Sequence, residues 1–136
     1  MRLVVDASIA AAWALPDESS PVADAALSST VDSGASAPVV FVYEFRNLLL
    51  SNERRARIGP VEVEAALLRM ADLDVEIDAA GDPDDVLALA RRTGLTVYDA
   101  AYLELALRRD LPLATLDRRL ADAATAAGAR LFGTPA

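Results

Sequence analysis

The chain has no cysteine, no histidine and no lysine among its 136 residues. These three absences exclude more chemistry than any motif could. Without cysteine there is no disulfide, no thiolate nucleophile and no zinc–thiolate or iron–sulfur site. Without histidine there is neither a Ser-His-Asp triad nor an imidazole base. Without lysine there is no Schiff base to a carbonyl or pyridoxal cofactor, and no Walker A loop. Long apolar runs are missing as well. Ala7 to Leu15 covers less than half of the ~20 residues a membrane helix needs, and Asp6 interrupts the apolar start before a signal-peptide core can form. The expectation is a reduced, cytoplasmic protein with no membrane span.

What remains for hard chemistry is carboxylate, hydroxyl, arginine and backbone. Acidic residues number 21 against 13 basic ones, all arginine, for a net charge of −8. Carboxylates alone do little at neutral pH, so an enzyme of this composition is expected to recruit a hard cation, Mg²⁺ or Mn²⁺. The acidic balance argues against loose electrostatic binding to nucleic acid, which favours a basic face. It leaves room for a specific nucleic-acid enzyme whose bound metal and local arginines offset the charge. Arginines come in pairs, at Arg54-Arg55, Arg91-Arg92, Arg108-Arg109 and Arg118-Arg119, an arrangement that suits solvated helix ends. The length fits one domain, residues 1–136, and the 54% apolar content suits a sizeable core.

Along the chain, short apolar runs alternate with helical patterns. Leu3-Val4-Val5, Ala37-Pro38-Val39, Val75-Glu76-Ile77 and Leu113-Ala114-Thr115 read as strands, and Ala129–Phe132 as a candidate fifth. Helices are expected at Ser8–Leu15, from Ser20-Pro21 towards Ser28, Val40–Arg57, Pro60–Asp72, after Asp82-Pro83, Tyr98–Arg109 and Arg118–Ala127. Ser28–Ala37, rich in serine, glycine and alanine, reads as a surface loop. Short apolar strands separated by helices point to a three-layer α/β/α domain with a short, mainly parallel sheet. In such sheets ligands bind outside the carboxyl ends of the strands.

Four carboxylates stand where that rule points. Asp6 follows the first strand and Asp117 the fourth; Asp99 opens a helix and Glu44 lies early in the long one. Each has a purely structural alternative. Asp6 and Asp117 suit helix N-caps, and Asp99 forms a Thr-x-x-Asp capping box with Thr96. Glu44 shares a narrow polar stripe with Asn47 and Ser51 in an otherwise apolar segment, where a salt bridge to arginine is the alternative. Together the four make a different case. Two carboxylates ~4 Å apart repel by about 4 kcal/mol at an effective dielectric of roughly 20, so a converged set needs a cation or protonation. With a divalent ion the pattern suits metal-assisted hydrolysis of a phosphodiester.

At these residues the chain resembles the PIN-domain ribonucleases, specifically the VapC-like toxins of bacterial toxin–antitoxin pairs. The resemblance is carried by Leu-Val-Val-Asp-Ala-Ser, Glu-Phe-Arg-Asn-Leu-Leu, Tyr-Asp-Ala-Ala-Tyr-Leu-Glu-Leu-Ala and Leu-Ala-Thr-Leu-Asp-Arg-Arg-Leu, in that order and over nearly the whole chain. It implies a PIN-like α/β/α fold, an acidic pocket for Mg²⁺ or Mn²⁺, and endonucleolytic cleavage of RNA. Carried over by position, Asp6, Glu44, Asp99 and Asp117 match the acidic catalytic and metal-binding residues. Ser8, Asn47 and Thr115 match polar supporting positions that orient carboxylates or waters. The resemblance also implies a homodimer and a cognate antitoxin. Arg46, Arg54 and Arg118 are the arginines picked out for contact with the RNA backbone.

Two other families that begin with a strand ending in aspartate fit less well. A haloacid-dehalogenase-type phosphatase wants a second aspartate where this chain has Ser8, and a lysine that is absent. A response-regulator receiver likewise wants a lysine. The rival from another class is a non-catalytic PIN-like module that grips RNA or a protein.

Overall fold

A computed structural model describes residues 1–18 and 20–133. Four strands form one parallel sheet in the order β3-β2-β1-β4: β1 (Leu3–Val5), β2 (Ala35–Pro38), β3 (Val75–Asp78) and β4 (Leu113–Ala114). Helices α1 (Ala7–Ala14), α2 (Pro21–Ser33), α3 (Val40–Arg54), α4 (Pro60–Asp72), α5 (Pro83–Thr93), α6 (Val97–Arg109) and α7 (Arg118–Ala126) connect them. The expected α/β/α arrangement is the one observed. No described helix is long and apolar enough to cross a membrane.

β1 is the centre of the molecule. Leu3, Val4 and Val5 are fully buried between β2 and β4. Helices α2 and α6 also pack on β1. A strand covered on both faces needs an unbroken apolar run, and that is its sequence. The chain lays β1, β2 and β3 outward in one direction, then returns past β1 to lay β4 on its other side. The neighbours β1 and β4 therefore flank the point where the winding reverses, and the crevice between their carboxyl ends is where a ligand site belongs.

Several boundaries differ from the sequence expectation. Ser28–Ala37 is not a surface loop: α2 continues through Ser33, and Ala35–Pro38 is a fully buried strand. The serine and threonine hydroxyls that suggested a loop are used within the fold. Thr30 Oγ1 donates to the Ala26 carbonyl at 2.8 Å, and Ser29 Oγ donates to the Met1 carbonyl at 2.9 Å. Gly34 then turns the chain at φ +81°, where an added Cβ would fall 2.4 Å from an Asp74 carboxylate oxygen. Pro38 fits inside the sheet because β1 registers only with Ala35 and Ser36, leaving no partner on that side for a proline N–H. The helix read to Arg57 stops at Arg54, followed by Ala56 in the left-handed region at φ +58°. The candidate fifth strand is reduced to a single parallel bridge between Leu131 and Leu113.

The pair Arg108-Arg109 is more than a solvated helix end. Arg108 bonds Glu104 and Asp78, and Arg109 bonds Glu76, Asp78 and the buried Ser36 hydroxyl. This ties the end of α6 to β2 and β3. The Arg108 guanidinium holds the Asp78 carboxyl below its ordinary range, so Asp78 contributes stability above the unfolded pKa of ~3.9 and loses it as pH falls through the lowered folded value. Thermal melts of wild type and Asp78→Asn are expected to differ at pH 7, with wild type the more stable, and to converge as the pH falls through the lowered folded value. A gap that stays constant across that range would show the network is not held by charge.

Candidate active site

Each of the four carboxylates picked out in the sequence is positioned by its own local structure. Asp6 caps α1 at the end of β1 and is only 5% exposed. Its Oδ1 accepts from the Ser8 hydroxyl at 2.6 Å and the Ile9 N–H at 3.1 Å; its Oδ2 accepts from the Thr115 hydroxyl. Both hydroxyl oxygens are themselves held by backbone: the Leu116 N–H donates to Ser8 Oγ at 2.9 Å and the Asp117 N–H to Thr115 Oγ1 at 3.0 Å. Two hydroxyl relays thus tie the turn after β1 to the turn after β4. Burial pushes the Asp6 carboxyl up; the three donors pull it down without cancelling that, and the charge of Asp117 adds to the rise.

Asp117 caps α7 with one oxygen, Oδ1 accepting from the N–H groups of Arg119 and Leu120 at 2.9 and 3.4 Å. Its Oδ2 accepts no hydrogen bond among the described residues. Asp99 completes only half of the expected capping box. Thr96 Oγ1 accepts from the Asp99 N–H at 3.1 Å, while the Asp99 carboxylate bonds nothing within the described residues. Half-buried, it is pushed up first by burial and then by the charge of Asp117; Arg119 opposes the rise. Glu44 has no arginine partner. Its Oε1 accepts from the Tyr102 hydroxyl at 2.5 Å, and burial, with Asp99 adding, raises its pKa.

The carboxylates feel one another in a chain, Asp6 with Asp117, Asp117 with Asp99, and Asp99 with Glu44. No three of them stand close enough to hold an ion: among the described residues there is no such acidic or metal-ligating cluster. The expectation of four carboxylates converged on one point therefore becomes a looser array: Asp6, Glu44 and Asp117 are turned to local neutral donors, and the Asp99 carboxylate to none among the described residues. None of the four is in an ion pair; those among the described residues use Asp74, Asp78, Glu76, Glu104 and Asp110. Hydroxyl and amide donors leave the negative charge uncancelled. All-oxygen donors with free lone pairs on Asp99, Glu44 and Asp117 match the chemistry of a hard divalent cation, which keeps several waters and needs only one or two carboxylates, although no three of them meet on one point here.

Among the supporting positions, Ser8 and Thr115 reach Asp6, whereas Asn47 is exposed and its side chain makes no hydrogen bond within the described residues. Arg46, Arg54 and Arg118 are exposed and outside the ion pairs, Arg46 bonding back to the Val42 carbonyl of its own helix. Tyr102 escaped the sequence reading. Three residues after Asp99 it shares that face of α6, yet in a run of alanine and leucine it reads as core.

Residues 3–126 match the PIN domain family. Ribonuclease VapC3 of Pyrobaculum aerophilum is 36% identical over 130 residues, 90% of this chain and 94% of that protein. Exonuclease VapC9 of the same organism is 37% identical over 81 residues, 58% of this chain and 59% of that protein. The crystal structure of PAE2754, also from Pyrobaculum aerophilum, matches with a TM-score of 0.66 at 25% identity, covering 90% of this chain and 87% of that one.

The raised pKa of Asp99 has a stability consequence. A carboxyl that holds its proton more tightly when folded opposes folding once ionised, so the penalty is absent below ~3.9 and complete above the raised folded value. Because its carboxylate makes no hydrogen bond, Asp99→Asn is expected to raise the melting temperature of the metal-free protein at pH 7 by a few degrees. The gain should vanish near pH 3. A lowered melting temperature at pH 7 would mean that the carboxylate is a structural ligand of the fold.

Proposed function

The chain belongs to the PIN-domain family, within it to the VapC-like toxins, and on that premise we propose that it is a metal-dependent endoribonuclease, the toxin of a toxin–antitoxin pair. We read residues 1–136 as one such domain. The observation that supports the proposal is that Asp6 and Asp117 follow β1 and β4 at the switch point and are linked electrostatically through Asp99 to Glu44, with none of the four in an ion pair among the described residues and three with raised pKa values. In this reading Asp6, Glu44, Asp99 and Asp117 hold Mg²⁺ or Mn²⁺. The ion, when bound, makes a water acidic enough to attack at neutral pH and stabilises charge growing on the phosphoryl oxygens.

The chain's own residues do the rest. Ser8 and Thr115 fix both oxygens of Asp6, so the carboxylate at the base of the crevice has one orientation. Asp117, held by the α7 cap, keeps one oxygen free. Tyr43 and Tyr98, each one residue ahead of a site carboxylate, are 71% and 62% exposed and offer faces on which unpaired bases can stack. Arg46, Arg54 and Arg118 are the proposed backbone contacts, with Asn47 a solvent-facing support beside Glu44. A homodimer and an antitoxin protein laid over the groove are part of the same proposal, as is a cytoplasmic location.

Purified protein is expected to cut a closed circular RNA in the presence of Mg²⁺ or Mn²⁺ and not in EDTA. The circle separates endonuclease from exonuclease, since it offers no ends. Asp6→Asn and Asp99→Asn should each reduce the rate by about a hundredfold or more, the loss of roughly 3 kcal/mol of transition-state stabilisation. Attack on linear RNA alone would replace endonuclease with exonuclease. Metal-independent binding without cleavage would leave a non-catalytic RNA-binding module.

A further inference from the structure

Two of the site carboxylates are oriented by the backbone turn that carries them. Asp6 and Asp117 are helix caps, and Asp99 sits in the first turn of α6. Glu44 is different: it lies inside α3, on a longer side chain, with no cap and no cation to hold it. Its one hydrogen bond among the described residues is from the Tyr102 hydroxyl, contributed by another helix 58 positions along the chain.

Tyr102 is 1% exposed, among the largest buried side chains in the protein. Its ring packs in the core, while its hydroxyl lies within electrostatic reach of Glu44, Asp6 and Asp99 together. A phenol is protonated at neutral pH, and here its O–H donates to Glu44 Oε1. A tyrosine used for packing alone has no need of a hydroxyl beside three carboxylates, where phenylalanine would fill the same space.

We infer that Tyr102 is the positioning residue for Glu44, fixing Oε1 by a hydrogen bond from the core so that Oε2 is presented to the proposed ion site. It is to Glu44 what Ser8 and Thr115 are to Asp6. The inference rests on the nuclease reading above and adds a member to that site that neither touches RNA nor holds the ion. Its neutrality matters: an arginine in its place would orient Glu44 equally well but cancel the charge a cation needs.

The test is Tyr102→Phe, which keeps the ring that fills the core. Mn²⁺ binding followed by calorimetry is expected to weaken by ~10-fold or more, with the melting temperature of the metal-free protein little changed. The kcat should fall while KM for RNA is retained. Glu44→Gln should weaken binding on its own, and adding Tyr102→Phe to it should cost nothing further, because the two act as one unit. The bond itself is read without metal, from a near-ultraviolet tyrosine difference spectrum between wild type and Glu44→Gln; this arm holds even if Tyr102→Phe fails to fold. Unchanged Mn²⁺ affinity in Tyr102→Phe, additive losses in the double variant, or a flat difference spectrum would each overturn the inference while leaving the nuclease reading intact. A wild type that binds no Mn²⁺ would remove both.

Discussion

The Asp6 carboxylate is the point on which the site and the centre of the fold both depend. An ionised carboxylate that is 5% exposed costs several kcal/mol unless its lone pairs are met. Here three donors meet them, and two are hydroxyls whose oxygens are in turn held by the backbone of Leu116 and Asp117. The same bonds that make the buried charge tolerable lock the β1–α1 turn to the β4–α7 turn. Strand order makes this possible, since only the reversal of winding places β1 and β4 side by side with their following turns facing one crevice.

A second constraint concerns where the arginines go. A chain with 21 acidic residues and 13 arginines has enough cations to neutralise many of its carboxylates. The described ion pairs all lie elsewhere: Arg2 with Asp74, Arg108 with Asp78 and Glu104, Arg109 with Glu76 and Asp78, Arg130 with Asp110. Within the ion-paired network the pKa values of Glu76 and Asp78 are lowered; at the candidate site no carboxylate is ion-paired among the described residues, and the pKa values of Asp6, Glu44 and Asp99 are raised. Raised carboxyl pKa values gathered on residues that are electrostatically linked mark a functional-site candidate.

Much of the fold was legible in the sequence because its signals are local. Ser20-Pro21 and Asp82-Pro83 mark helix starts, and Gly94 marks an end at φ +74°. β2 was the element misplaced, and the cause is physical: Ala-Ser-Ala-Pro carries no β-branched or aromatic residue, so burial between β1 and β3 alone makes it a strand. For the site, Asp6 and Asp117 were legible as both caps and candidate ligands, and the sequence had no means of separating the two. In the structure Asp117 caps with one oxygen and leaves the other without a hydrogen bond among the described residues, so capping does not preclude a ligand role. Tyr102 was illegible because its meaning lies in a contact with Glu44 across 58 residues, not in its neighbours.

The looseness of the acidic array follows from electrostatics. Like charges favour separation, and three of the four are held apart on neutral donors: Ser8, Thr115, Tyr102 and backbone N–H groups. Neutral donors stabilise a carboxylate by about half as much as charged ones, but they subtract nothing from the net negative potential. A pocket built with arginine would be more stable and electrically silent. One built with hydroxyls is strained by its own repulsion, and that residual repulsion is the driving force with which it would take up a divalent cation.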